Sequence, residues 1–155
     1  MISAFIFPGS DVRECLLEPL VIIFSMNDNK SVILAYADAF TRGDFELVSS
    51  LCTPDARIHG VLGASGLDFV VTAWKELHHA FGLRLRVEEM VAEGDTVAVR
   101  YTESGVSRNS FRGGPVTGKS FSVVAMEWFK FRNGKIAERW GVRDSSAIRI
   151  QMGLS

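Results

Sequence analysis

The feature that most constrains this chain is a change of hydrophobic period at Gly82. Before it, apolar residues recur every three or four positions; after it, they alternate. Val32, Ile33, Tyr36, Ala37 and Phe40 share one face of a helix predicted over residues 30–42, and Gly43 follows where a C-cap belongs. Asp44 is placed to cap a second helix carrying Phe45, Leu47, Val48 and Leu51, which Pro54 stops. A short strand over 56–60 precedes a third helix over 67–81, with Phe69, Val70, Ala73, Trp74, Leu77 and Phe81 in helical register. Past Gly82, residues 83–93, 96–105, 116–131 and 135–144 read as strands rich in Val, Ile, Phe, Tyr and Trp. Asn133-Gly134 between the last two is a strong hairpin signal. Helices followed by antiparallel strands define an α+β chain, with the helices on one face of a meander.

Composition narrows the function classes. The 155 residues are 47% hydrophobic and 23% charged, enough for a core without disulfides or metals. The formal net charge is −1, so no basic surplus exists to neutralise phosphates, and no nucleic-acid partner is expected. Cys15 and Cys52 suggest neither a disulfide framework nor a zinc site, and no His/Cys/Asp cluster has ligand spacing. They read as free thiols of a cytoplasmic protein. Residues 1–26 are apolar but make a poor signal peptide, since Glu14 and Glu18 intrude and no positive start or cleavage site is present. Glu18 and Pro19 also break the run below the length of a membrane span. Three readings of this stretch stay open: an ordered extension, an arm exchanged between subunits, or residues ahead of a start at Met26. Residues 27–155 form one domain.

Parity along the strands separates the faces. Phe121, Val123, Ala125, Glu127, Phe129 and Phe131 lie on one side, and Ser122, Val124, Met126, Trp128 and Lys130 on the other. Both sides are apolar in the middle, more than a sheet with one wet face needs. The helices cover one; a second copy of the sheet is expected on the other, giving a homodimer. In the last strand Ile136, Glu138, Trp140, Val142 and Asp144 share a parity opposite to Ala137, Arg139, Gly141 and Arg143. Asp144 has two readings, a carboxylate beside an apolar row or the N-cap of a helix beginning at Ser145-Ser146-Ala147. The two are compatible.

The stretch from Met126-Glu127-Trp128-Phe129 through Asn133-Gly134-Lys135 to Arg139-Trp140-Gly141-Val142-Arg143-Asp144, then Gln151-Met152-Gly153-Leu154, resembles the C-terminal signature of SnoaL-like polyketide and ester cyclases. Tyr36-Ala37-Asp38-Ala39-Phe40, Gly43-Asp44, Pro54-Asp55, His59-Gly60, the Trp74 helix, Glu93-Gly94-Asp95 and Pro115-Val116-Thr117-Gly118-Lys119 agree in order. The resemblance spans roughly 28–155. It implies a cone-shaped, curved antiparallel or mixed sheet wrapped around N-terminal helices and enclosing an apolar pocket. It also implies dimers, no metal, no organic cofactor, and an Asp acid/base near the end of the last strand, the position of Asp144. The family's cyclases place a His on the preceding strand; this chain has none between Phe121 and Phe131, where Glu127 is the mid-strand ionisable residue.

The chemistry so implied is intramolecular aldol-type ring closure on a small apolar carbonyl compound. A carboxyl desolvated in an apolar cone has its pKa raised toward the range a general base needs. Ketosteroid isomerase, a worked example of an Asp base with enolate donors, is the chemical analogy. His59 is the first candidate for the enolate donor, with Tyr36, Trp140 and His78 as others. Trp74, Phe81 and Trp140 are expected as pocket wall, although core packing explains them equally. His78 and His79 end a helix, where a cation suits the dipole. Glu127 is either a second pocket acid or the partner of Arg100 or Arg139, and pairing is favoured. Gly-rich stretches at 64–67 and 109–114 are expected at the pocket mouth. Two rivals stand: an apolar-ligand carrier without catalysis, and an epoxide-opening enzyme. The latter needs an Asp–Arg–Asp relay, and Arg139 has the parity opposite to Asp144.

Overall fold

The computed structural model describes residues 17–60 and 63–154, with side chains from Asn29 onward. Four helices and six strands follow in the order α1 (Leu17–Arg42), α2 (Phe45–Ser50), β1 (Cys52–Gly60), β2 (Gly63–Gly66), α3 (Leu67–Phe81), β3 (Arg84–Glu93), β4 (Thr96–Val106), β5 (Ser120–Arg132), β6 (Lys135–Arg143) and α4 (Ser145–Met152). The period change thus marks the switch from α3 to the meander. α1 starts well ahead of the expected residue 30, and Pro19 falls in its first turn, where the missing N–H has no helical acceptor. Of the 1–26 stretch, residues 1–16 lie outside the described residues. No helix among the described residues is long and apolar enough to cross a membrane.

The strands form one curved, unclosed sheet in the order β2-β1-β6-β5-β4-β3. All neighbours are antiparallel except β1 and β6, which run parallel. The sheet is therefore mixed. β1 begins earlier than expected and runs through Pro54, which precedes the pairing with β2 at Arg57 and falls in the irregular stretch between the Cys52 and Arg57 pairings with β6, a place where a strand tolerates proline. Of residues 64–67, expected at a pocket mouth, 64–66 lie in the edge strand β2 and Leu67 opens α3. Asp44 caps α2 by accepting from Leu47 N, as the sequence suggested.

Ile33, Tyr36, Ala37 and Phe40 of α1 pack into the concave side of the sheet with Trp74 of α3, and the rings of Tyr36, Phe40, Trp74 and Phe129 meet edge-on or tilted. Gly105 is required by close packing: a Cβ there would lie 2.9 Å from the Phe81 carbonyl oxygen and 2.8 Å from the Phe121 ring. That approach lets the end of α3 rest on β4.

Candidate functional site

Whether a side chain of β6 reaches the interior depends on one extra residue. Lys130 of β5 pairs with Glu138, but the next residue, Phe131, pairs with Ile136, so Ala137 is a bulge. The bulge inverts parity. Ile136 is buried before it; after it Arg139, Gly141 and Arg143 point inward, while Glu138, Trp140 and Val142 point outward. Register then brings four charges together. Val99 of β4 is opposite Glu127 of β5, which is opposite Gly141, and Tyr101 is opposite Ala125, which is opposite Arg143. Small residues at 125 and 141 leave room for long side chains above them. A Cβ at Gly141 would sit 2.8 Å from Arg139 Nη2, which shows how closely that guanidinium folds over the strand.

Arg139 pairs with Glu127, both nearly solvent-free. Arg143 bridges the two carboxylates: its Nη2 lies 3.4 Å from Glu127 Oε1, and its Nε lies 3.1 Å from Glu103 Oε2. The first contact is a hydrogen bond; the second is an ion pair without hydrogen-bond alignment. The result is a chain of Glu103, Arg143, Glu127 and Arg139, two carboxylates balanced by two guanidiniums, which lowers the cost of burying them. Arg139 also lies 5.3 Å from the Trp74 ring. Burial pushes the Glu103 carboxyl above its ordinary range, and Arg143 and then Arg139 pull it partly back. The hydroxyls of Tyr36 and Tyr101 are buried without a hydrogen-bond partner, and burial raises the pKa of both phenols.

Glu103 and Arg143 are the part of this chain that opens to space. They lie at the floor of a cavity of about 710 Å³. Leu77 and Phe81 of α3, Phe121 of β5, Ile148 and Met152 of α4, and Phe111 of the 107–119 loop supply apolar wall. Arg112 and Arg149 also line it, on exposed positions. The size suits a small organic ligand, and apolar walls with few placed charges are usual for such sites.

The predicted residues scatter. Phe81 lines the cavity. Glu127 is inside and pairs with Arg139, whereas Arg100 is 3.5 Å from Glu89. Tyr36 and Trp74 are buried beside the charge chain, outside the cavity lining. His78 donates from Nε2 to the Thr41 carbonyl oxygen at 3.2 Å, at the α1–α3 junction and outside the cavity lining. Its hydrogen-bonding role there must be that of donor, since a carbonyl only accepts. His59 and Trp140 are on the outer face: the rings stack at 4.5 Å and 6°, and His59 Nε2 is 3.3 Å from Glu138 Oε2. The bulge is the physical reason that Trp140 and its neighbours miss the pocket. Asp144 is exposed and caps α4, accepting from Ala147 N at 2.9 Å. Glu103 was missed, although it shares parity with Val97, Val99 and Tyr101 and could have been found as the carboxylate on an apolar row.

An α+β domain whose curved sheet leaves an apolar cavity with charge at its floor is a recognisable class of protein. The chain belongs to the SnoaL-like polyketide cyclase family, whose profile matches residues 30–152. Among solved structures it is similar to IdmH of Streptomyces antibioticus, a candidate polyketide cyclase, with 26% identity and a TM-score of 0.72 over 81% of this chain and 99% of that one. It is also similar to AclR of Streptomyces galilaeus, a candidate hydroxylase, with 26% identity and a TM-score of 0.76 over 83% and 97%. An LEH-like epoxide hydrolase of M. tuberculosis shares the fold at 16% identity, with a TM-score of 0.66 over 82% and 90%. No curated protein matches the chain significantly.

Proposed function

We propose that this chain is a proton-transfer enzyme of the cyclase kind, acting on a small apolar carbonyl compound with Glu103 as acid/base. The observation that carries the reading is a buried carboxyl at the floor of an apolar cavity, held above its ordinary range and set beside a guanidinium. Glu103 as carboxylate takes a proton alpha to a carbonyl, and Arg143 holds the developing enolate oxygen. The enolate carbon attacks a second carbonyl of the same molecule, and the acid form of Glu103 returns the proton to the new alkoxide. Confinement of both ends of one substrate supplies further acceleration. Asp144, the acid/base position implied by resemblance, is outside the cavity lining, so Glu103 takes that role here.

Glu103→Gln tests this in two ways. With a cyclisable diketone, turnover should fall by about 10²-fold or more. Wild-type activity should rise with pH through a pKa above 4.5, the ordinary value for a glutamate, and Glu103→Gln should lose that limb. Stability runs the other way. A carboxyl whose folded pKa is raised holds its proton more tightly when folded, so stability is greatest below the unfolded pKa and is lost as pH rises through the folded one. The Gln variant should unfold without that decline. Equal turnover in wild type and Glu103→Gln would end the proposal; ligand binding without any turnover would leave a carrier.

One arrangement favours a second reading, epoxide opening. Glu103–Arg143–Glu127 is a carboxylate–guanidinium–carboxylate chain of the kind that relay requires, which the expected parity of Arg139 and Asp144 did not allow. One carboxylate would take a proton from water while a carboxylic acid protonates the epoxide oxygen, and the hydroxide would open the ring. Hydration of an aliphatic epoxide, with no turnover of diketones, would select it.

The outer face carries exposed Val124, Met126, Trp128 and Val142. A second copy of the sheet is the occupant this reading assigns, and light scattering at micromolar concentration should give twice the chain mass. Trp128→Glu should give the monomer.

A further inference from the structure

Arg143 stands between two carboxylates and meets them differently. Its Nη2 makes a hydrogen bond of 3.4 Å to Glu127 Oε1, whereas its Nε lies 3.1 Å from Glu103 Oε2 without hydrogen-bond alignment. A guanidinium free to turn would present its fork squarely to the nearer carboxylate, because an aligned charge-assisted bond is the stronger one. Arg143 is held back from Glu103, and a series of constraints lies behind it. Arg139 donates from Nη2 to the same Oε1 of Glu127, so two guanidiniums share one carboxylate oxygen. Arg139 is itself fixed on two other sides. It folds over Gly141, where a Cβ would lie 2.8 Å from Nη2, and its guanidinium is 5.3 Å from the Trp74 ring. Side-chain exposure falls along this series, from 26% at Arg143 to 6% at Arg139 and 1% at Glu127. The free end is at the cavity, and the anchored end is in the core.

A buried ion pair is a weak device for stability, since apolar residues of similar volume often serve as well. Glu127 and Arg139 lie outside the cavity lining, so their link to the site is Arg143. We propose that Glu127 and Arg139 are positioning residues, which hold the Arg143 guanidinium toward the core so that the Glu103 carboxyl stays unclasped and able to exchange a proton. This rests on the proton-transfer reading and deepens it, by separating a carboxylate that anchors from one that reacts. The other titratable groups around Glu103 are the Tyr36 and Tyr101 phenols, which burial keeps neutral, and Arg112 and Arg149 across the cavity. β3 places the apolar Leu85 opposite Glu103, and α3 lines the cavity with Ala73, Leu77 and Phe81. Loss of the anchor would let Arg143 close on Glu103, and a carboxylate clasped by a guanidinium is a weaker base.

The test combines carbon- and nitrogen-detected NMR with one double variant. In wild type the Glu103 carboxyl carbon is titrated while rotation of the Arg143 guanidinium is followed. Rotation should stay equally restricted on both sides of the Glu103 midpoint, because Glu127 is the anchor. Release of the guanidinium as Glu103 takes up its proton would show that Glu103 holds it, and would overturn the proposal. Glu127→Met/Arg139→Met removes the anchor as a neutral pair, with the fold checked by circular dichroism. The Glu103 proton dissociation constant should then rise about tenfold or more, the scale of a newly aligned guanidinium. An unchanged or smaller constant overturns the proposal. Should that variant fail to fold, the wild-type rotation decides alone. With the cyclisable diketone, kcat of the folded variant should fall about tenfold with KM within a few-fold, and the acid limb should move to lower pH. A merely structural pair would lower the amount of folded enzyme and leave that limb in place. The NMR readings need no turnover, which keeps the two ideas apart. Equal turnover in wild type and Glu103→Gln would end proton transfer by Glu103, while restricted rotation and the raised constant would still show Arg143 anchored.

Discussion

β5 and β6 are hydrogen-bonded neighbours, yet only one of them keeps a single period. β5 alternates exposed and buried from Ser120 to Arg132 without interruption, so Glu127 falls inside with Phe129, where parity puts it. β6 takes in Ala137 as an extra residue, and everything beyond it changes face. Side-chain direction has a period of two, so one inserted residue inverts the whole remainder of a strand. Alternation therefore says which residues share a face only between irregularities. It does not say where the irregularity lies, and Ala137 among Ile136, Glu138 and Arg139 has no turn residue to mark it. The cost of missing it was the site: Arg139 and Arg143 belong inside, Trp140 and Glu138 outside.

The largest effect that could break this comparison comes from Arg139. Arg139→Met would leave Glu127 buried without its nearest cation, and should destabilise the protein by about 3–5 kcal/mol. Adding Glu127→Gln should restore a large part of that loss, because the charge left uncompensated is then gone. Urea denaturation of the two single variants and the double variant measures the coupling. Were β6 to run straight, Arg139 would be a surface residue, and its replacement would change stability by no more than about 0.5 kcal/mol.

A smaller effect is expected at Gly141, where a methyl group would meet Arg139 Nη2. A flexible arginine on a surface would swing aside at little cost. This one is buried and held by Glu127, so Gly141→Ala should cost about 1–2 kcal/mol, within the range for overpacking. Val142→Ala, one residue along on the outer face, should cost less than Gly141→Ala in monomeric protein. Equal costs at the two positions would mean that the faces are not distinguished as described.

Much of the fold was legible because its signals are local. The switch from α3 to the strands, the Asn133-Gly134 turn, the Asp44 cap and the buried stripe of α1 each depend on neighbours within a few residues. The site is different in kind. It is assembled from β4, β5, β6, α3, α4 and the 107–119 loop, so its composition follows from strand order and register, which no short window contains. Glu103 illustrates the gap. Its parity was readable in β4, but its meaning depends on Arg143, two strands away across Val123 and Ala125. His59 illustrates the converse: an ionisable residue on a short strand suggests chemistry, but its face is set by the parallel pairing of β1 with β6.

The smallest expected effect is at Asp144, and it decides between the two ends of β6. The Asp144 side chain accepts from Ala147 N and so satisfies one of the free donors at the start of α4. Asparagine caps helices about as well as aspartate, whereas alanine does not, so Asp144→Ala should cost about 1 kcal/mol and Asp144→Asn much less. If Glu103 is the acid/base, Asp144→Asn should also keep turnover within a few-fold, because α4 and its Ile148 and Met152 wall stay in place. Asp144→Ala should lose some activity only as it loses stability. The pair separates the roles that sequence left joined, since a cap survives the Asn replacement and a proton-transfer carboxylate does not. A stable Asp144→Asn with turnover reduced by about 10²-fold or more would return the chemistry to the exposed end of β6. It would also mean that the cavity floor at Glu103 is there to bind and orient, leaving the proton to a carboxylate outside the bulged face.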